Sequence, residues 1–412
     1  MKKIYLLFIA FCFGFAVEAQ IINFPDAHFK ARLFDYGAAK DANQTIMDID
    51  VNADGEVSTD EAQNVFYLNV TGISNANLIS SLEGIGFFAN LKELRCYGNL
   101  IENLDLSGLA NLNKVFCQNN RIESIDLSQT SVVVLNAGSN RIASLSDISF
   151  NDQDGFDTLI LSYNWLTSID ALYLPHMVST LDFSNNQVAH VNLSGINWLT
   201  KLLCANNQLT HIDTSTQTFL NYLSCGNNQI TTLDLSQNSY LDYLYCRNNL
   251  MSSLDLSHHP VSDFDVRSNS LISLNIENGD YDGDGLYTTI PGSPNLEYVC
   301  VDAYEGEIIQ NWLTLANVST NCILTSGCNL ATAAFDISGF TVSPNPAADF
   351  LNIHSKSDVI IDAVAIYNIL GELVQIHLNP IETIDVSDLK SGVYLLRIAT
   401  ANGIVNNKFV KK

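Results

Sequence analysis

The residues best suited to chemistry lie in one acidic run at positions 50–61, DVNADGEVSTDE. Asp50, Asn52 and Asp54 alternate, Gly55 follows, Glu56 offers a main-chain carbonyl, Ser58 stands ninth and Glu61 closes the run at the twelfth place. A hard divalent cation wants several oxygens at roughly 2.3–2.6 Å, and alternating carboxylates around a glycine turn supply them in calcium-loop order. The expected cofactor is therefore Ca2+ in a structural role, pinning an N-terminal cap. A solvated acidic turn is the alternative, because no second loop follows to pair with this one. Further on, Asp280, Asp282, Asp284 and Gly285 start the same way, but the twelfth place is Pro291, which cannot ligate. Patterns for catalysis are lacking: the sequence has no glycine-rich phosphate loop, no serine in a nucleophile-elbow context and no HExxH. His258 and His259 fall in a variable turn and read as surface residues, so the chain is taken as a non-enzyme.

What must position these residues is a repeat. The phrases LKELRCYGN, LNKVFCQNN, VVVLNAGSN, FDTLILSYN, VSTLDFSNN, LTKLLCANN, LNYLSCGNN, LDYLYCRNN and VSDFDVRSN end on Asn99, Asn120, Asn140, Asn164, Asn186, Asn207, Asn228, Asn249 and Asn269. Steps of 20 to 24 residues make this a leucine-rich repeat, in which no unit buries its own apolar side and all must stack into one solenoid. The expected fold is an α/β solenoid dominated by β, a leucine-rich-repeat horseshoe with little helix. Each LxxLxC places a short strand on the concave face, where period two turns Leu244 and Cys246 inward and Tyr243, Tyr245 and Arg247 to solvent. The terminal asparagine has donors and an acceptor for backbone groups that the turn leaves unpaired. In the second half, LDLS and its variants set Asp105, Asp126, Asp170, Asp213, Asp234 and Asp255 on the outside as a convex strand or turn, either a solvated face or a collector of cations. Cys96, Cys117, Cys204, Cys225 and Cys246 share one position with Ala137, Leu161, Phe183 and Val266. They read as core fillers with free thiols, since neighbouring rungs lie about 4.8 Å apart with parallel side chains.

Charge and ends bound the rest. Residues 21–335 hold 35 acidic and 11 basic residues, a surface that repels nucleic acid and anionic membranes. Lys2 and Lys3, an apolar run and Val17-Glu18-Ala19 form a secretory leader over residues 1–19, too short for a membrane span. An N-terminal cap with the EF-hand-like loop is expected over residues 20–65, its first helix running through FPDAHFKARLFDY. The solenoid and its closing segment should then occupy 66–328 and a linker 329–340. Cys300 and Cys322 lie off the ladder in an exported chain, so a disulfide between them is plausible. Cys328 competes, and three pairings stay open.

From residue 341 to 412 the pattern becomes short alternating strands broken by turns, as in an antiparallel β-sandwich. Four pieces occur in order: Pro344-Asn345-Pro346 with Leu351 and Ile353; Tyr367-Asn368 with Gly371; Leu389 with Ser391-Gly392-Val393-Tyr394; and Lys408-Phe409-Val410-Lys411-Lys412. This tail resembles the type A C-terminal sorting domain of the type IX secretion system. The resemblance implies the secretion machinery as a partner, export from a two-membraned bacterium, and release or attachment at the cell surface. Residues 24–325 are similar to leucine-rich-repeat proteins that carry such tails, which implies a fold and a location but no activity.

Function is then sought on the concave strands. Phe116, Tyr222, Tyr243, Tyr245, Arg247, Asp263, Asp265 and Arg267 point outward, and tyrosines beside arginines and acids are the chemistry of a binding patch. A protein ligand or adhesion partner is the first expectation, a surface glycan the second, and a structural spacer without ligand the third.

Overall fold

The computed structural model describes residues 20–72, 76–151, 155–261, 263–279, 296–302, 323–325, 340–355, 361–368, 373–378, 383–400 and 403–412. The expected leader at residues 1–19, the stretch from Asp280 to Pro291, Cys322, Cys328, Gly371 and residues 329–339 of the expected linker lie outside the described residues. The chain forms two compact units, Met1–Arg141 with Asp147–Asp152, and Ile142–Ser146 with Gln153–Lys412.

In the first unit the N-terminal cap is built around Asp26. Helix α1 (Ala27–Leu33) buries Phe29 and Leu33, and Phe29 meets Phe24 edge-on at 5.3 Å. One oxygen of Asp26 caps the helix by accepting the His28 and Phe29 amides at 2.8 and 3.0 Å. Its other oxygen accepts from Ser80 N, Ser80 Oγ and Ser81 N at 2.7, 2.8 and 3.0 Å. A single carboxylate thus ties the cap to the turn before the first full repeat. Partial burial pushes its pKa up, but these hydrogen bonds outweigh that and hold it at about 2, below the ordinary 3.8. A depressed folded value means that the stability Asp26 contributes is complete above about pH 4 and is lost as pH falls toward 2. Asp26→Ala is expected to cost about 1–2 kcal/mol at pH 7, the range of a lost helix cap, and less at pH 3; denaturant titrations at both pH values measure it.

Strand β1 (Ala39–Lys40) forms a hairpin with β2 (Ile46–Met47) and pairs antiparallel with β3 (Tyr67–Asn69). The hairpin covers an edge that would otherwise be open for pairing. From β3 onward the rungs run parallel through β4 (Glu93–Arg95), β5 (Lys114–Phe116) and Val134–Asn136, with Leu68, Leu94, Val115 and Leu135 in register. All four are buried, because only the central residue of each three-residue strand faces the core. A second short helix, α2 (Thr59–Ala62), starts on a capping box made by Ser58 and Glu61.

The second unit repeats the plan with Thr158–Ile160, Thr180–Asp182, Lys201–Leu203, Tyr222–Ser224, Tyr243–Tyr245 and Asp263–Asp265, all parallel. Behind them a parallel sheet runs through Ser253–Asp255, Ser273–Asn275, Tyr298–Cys300 and Ile323–Thr325.

The asparagines bind the rungs together as their position requires. Asn228 is representative: its Nδ2 donates to Cys204 O and Cys225 O at 3.1 and 3.0 Å, and its Oδ1 accepts from Leu209 N at 3.0 Å. Just before each ladder asparagine stands a residue with positive φ: Gly98, Asn119, Ser139, Tyr163, Asn185, Asn206, Asn227, Asn248 and Ser268. Asparagine tolerates that left-handed conformation better than most side chains, which accounts for the Asn-Asn doublets. The outer acids prove to be turn closers. Asp105, Asp126, Asp213, Asp234 and Asp255 each accept the amide two residues on, from Ser107, Ser128, Ser215, Ser236 and Ser257 at 2.9–3.0 Å, and Asp170 does so from Leu172.

His259 departs from the surface reading. It is buried at the place occupied by Gln217 and Asn238 in the two preceding repeats. Gln217 Nε2 donates to Leu193 O at 3.0 Å, Asn238 Nδ2 to Gln217 O at 2.8 Å, and His259 Nδ1 lies 3.1 Å from Asn238 O. These three form a second inner polar ladder. Burial pushes the His259 pKa down, which keeps the ring neutral inside the coil. The five ladder cysteines are buried and free, whereas Cys300 is disulfide-bonded.

The tail folds as two antiparallel sheets. Phe340–Ser343, Phe350–Ser355 and Thr383–Asp385 make one; Leu373–Leu378, Ile361–Tyr367, Gly392–Thr400 and Gly403–Lys411 make the other. Alternate residues Val364, Ile366, Leu396, Ile398 and Phe409 meet Leu351, Ile353 and Ile384 in one core.

Candidate functional site

Seven of the eight expected concave residues belong to three consecutive repeats of the second unit. Register places Tyr222 beside Tyr243 and Tyr243 beside Asp263, with Ser224, Tyr245 and Asp265 in the next row. The Tyr222 ring lies 5.8 Å from Tyr243 and 5.5 Å from Tyr245 between centroids, and Lys201 Nζ sits 4.4 Å above it. Tyr245 Oη donates to Asp263 Oδ2 at 2.5 Å. Burial, and then the carboxylate that accepts this proton, drive the Tyr245 pKa up. Asp265 takes both Nε and Nη2 of Arg267, at 2.8 and 2.7 Å. Its burial would raise its pKa, but the Arg267 bonds outweigh that and hold it down. Arg247 stands exposed just past its strand. The patch therefore presents ordered rings over a fixed acid, flanked by guanidinium groups. Phe116 is not part of it: it lies in the first unit, 5.2 Å beneath the Arg95 guanidinium.

One aromatic row escaped the sequence reading. Trp198 and Phe219 stack at 5.4 Å with an interplanar angle of 2°, and Phe219 and Tyr240 at 6.3 Å. All three are exposed and precede their strands by three residues. In earlier repeats Asn111 and Ser131 hold this place and bond to Ala89 O and Ala110 O. A constant 21-residue spacing of unlike rings was the signal available.

In the acidic loop, Asp50 accepts the Asp54 and Gly55 amides through separate oxygens at 3.1 and 2.9 Å, and Asp54 accepts the Glu56 amide at 2.8 Å. Asn52 Nδ2 donates to Asp54 Oδ2 at 2.8 Å. Gly55 has φ +81°, a backbone that favours glycine. Lys30 on α1 pairs with Glu56 at 2.7 Å. Glu61 is occupied on both oxygens: Oε1 accepts from Val51 N at 2.9 Å, and Oε2 from Ser58 N and Oγ at 2.8 Å each. What enters the loop is the β1–β2 hairpin, since α1 ends at Leu33. Among the described residues no three carboxylate, imidazole or thiol side chains stand close enough to hold a metal ion.

In the tail the first and last sequence pieces meet. Asn345 accepts the Val410 amide at 2.9 Å and donates to Lys408 O at 3.2 Å. Beyond the flanking Pro344 and Pro346, Ala347 N donates to Val410 O and Lys412 N to Ala347 O, at 2.7 and 2.9 Å. Gly392 pairs with Lys411, which is buried. Tyr394 stacks on Phe409 at 5.5 Å and its hydroxyl donates to Lys390 O at 2.8 Å.

Residues 341–412 match the family model described as a secretion system C-terminal sorting domain. No curated protein matches the sequence significantly. Among solved structures, the functional domain of InlJ from Listeria monocytogenes, described as including a cysteine ladder, is similar at 16% identity and a TM-score of 0.46, covering 87% of this chain and 93% of its own. An internalin, InlF, also from Listeria monocytogenes, gives 20% identity, a TM-score of 0.43 and coverage of 74% and 96%. A leucine-rich-repeat protein from Bacteroides thetaiotaomicron gives 15%, 0.42, and 65% and 42%. Among the described residues no helix is long and apolar enough to cross a membrane. The repeats stack as a solenoid of short parallel rungs, and residues 341–412 match the family of secretion system C-terminal sorting domains.

Proposed function

We propose that this protein is exported by the type IX secretion machinery to the surface or surroundings of a two-membraned bacterium, where the later repeats bind a protein partner. The arrangement that supports the reading is the Tyr222, Tyr243, Tyr245 cluster over Asp263. Stiff rings in fixed contact lose little entropy on binding, and tyrosine with arginine is enriched where interfaces hold most of their energy. The double change Tyr243→Ala, Tyr245→Ala is expected to weaken capture of a protein partner from surface extracts by about 2 kcal/mol or more while the chain stays folded at the assay temperature. Loss of polysaccharide retention instead would favour a glycan ligand, and no change in either would leave a spacer.

The acidic loop is read as a calcium site that stiffens the cap. Its donors are all hard oxygens, and Asp50, Asn52, Asp54 and the Glu56 carbonyl lie on one curled segment. Glu61 would complete the shell by giving up bonds to Val51 and Ser58. Calcium at a hundred times its Kd is expected to stabilise the fold by about 2.7 kcal/mol, seen as a rise in melting temperature that chelator reverses. Asp54→Ala should abolish the rise without touching the Ser58–Glu61 cap; a melt indifferent to calcium would end this reading. The pairing of Cys300 with Cys322 is retained as a proposal on the same footing.

A further inference from the structure

Between residues 21 and 335 the chain has only 11 basic residues against 35 acidic ones, yet four of the eleven line one cavity. It occupies about 720 Å3 on the concave side of the first unit, with Lys40, Lys92, Arg95 and Lys114 in its wall and, among the described residues, Glu93 as the single acid. The sheet puts them there. Lys40 is in register with Tyr67, Tyr67 with Glu93, and Glu93 with Lys114, so these side chains share a face, and a period of two adds Arg95 to it; Lys92 comes from the residue just before β4. The β1–β2 hairpin supplies the outermost of these positions.

Arg95 is committed internally, to Glu93 at 2.6 Å and to the Phe116 ring. Lys92 lies over the Phe66 ring, 5.4 Å from its centroid, but among the described residues neither it nor Lys40 nor Lys114 has a carboxylate within ion-pair distance. Gathering unpaired cations costs energy through mutual repulsion, and in so acidic a chain it is not an accident of composition. The remaining wall is polar: Asn69, Asn113 and Tyr67 offer amide and hydroxyl groups and one ring. Peptide interfaces centre on desolvated apolar anchors, and this wall has none that is exposed, since Leu68 and Ala38 are buried. Neutral amides among cations instead match neighbouring hydroxyls on a sugar that also carries charge.

We propose that this cavity binds an acidic oligosaccharide, its carboxylate or sulfate groups held by Lys40, Lys92 and Lys114 and its hydroxyls by Asn69 and Asn113. The site is separate from the tyrosine patch and does not depend on it. Calorimetric titration of the full chain, at low ionic strength with chelator present, tests it with four probes: an oligogalacturonate, a sulfated oligosaccharide, a neutral oligosaccharide of equal length and an oligoglutamate of equal charge. At least one acidic saccharide should bind, more weakly as salt screens the lysines, and the neutral one should not. Which acidic probe binds tells carboxylate from sulfate recognition. The exposed Lys114 and half-buried Lys40 can be changed together, Lys40→Met, Lys114→Met, with an expected affinity loss of about tenfold or more and no change in the thermal melt. Failure of both acidic saccharides, equal binding of oligoglutamate, or an affinity unmoved by the double change would overturn the proposal.

Discussion

Asn228→Ala is expected to destabilise the solenoid by about 3 kcal/mol, the upper end of what unsatisfied buried groups cost, read from the midpoint of a urea titration. The side chain is buried and serves two rungs at once: it holds carbonyls of Cys204 and Cys225 and the amide of Leu209. Alanine leaves that amide without a partner in a region water cannot reach, and takes one of two donors from each carbonyl, which keep Asn207 and Asn249 at 3.1 Å each. Repeat proteins take much of their stability from interfaces between neighbours, so loss of an interface bond should weaken the rungs on both sides. Asn227, one residue earlier, makes a contrast. Its φ is +55° and its side chain accepts from Asn248. Asn227→Gly keeps the left-handed turn and should cost well under half as much. Equal costs at the two positions would contradict the division of labour within the doublet.

Removal of residues 407–412 is expected to stop export, leaving the protein in the periplasm, but the structure shows that this test alone is ambiguous. That segment is most of a strand paired with Gly392–Thr400, and it carries Phe409 into the core. Truncation therefore unfolds the sandwich as well as deleting any signal. Lys408→Ala with Lys412→Ala is the sharper experiment, because both lysines are exposed while the ladder, Phe409 and the Asn345 bonds stay. Immunoblots of periplasm and medium should show the full-length chain retained. Normal secretion of the double variant would mean that the machinery reads the folded sheet and not its terminal charges.

How much was legible follows from which positions tolerate variety. The ladder asparagines repeat because few other side chains can give two donors and an acceptor from that spot, so the solenoid could be read directly. The sorting pieces stand in fixed order, but nothing in them announces that Asn345 would reach across to Lys408 and Val410, a contact 63 to 65 residues away in sequence. Gln217, Asn238 and His259 do one job with three side chains, so their ladder had no repeating letter to betray it. The basic cavity was hidden for another reason. Lys40, Lys92, Arg95 and Lys114 belong to a hairpin and two repeats, and they share a wall only because β1, β3, β4 and β5 pair side by side. Outward tyrosines were visible from period two, whereas the exclusion of Phe116 depended on knowing which rungs adjoin.

The cysteine row has a consequence for how the folded chain ages. Cys96, Cys117, Cys204, Cys225 and Cys246 are buried and free, and burial lifts the Cys117 and Cys225 thiols to about 12. Thiolate is the reactive form, so in a closed rung these sulfurs offer oxidants almost nothing to attack. When a rung opens, its thiol returns to the ordinary reactive range. Each cysteine is thus a witness placed inside its own coil, and the order in which the five succumb to a slow alkylating agent is a map of where the solenoid breathes first.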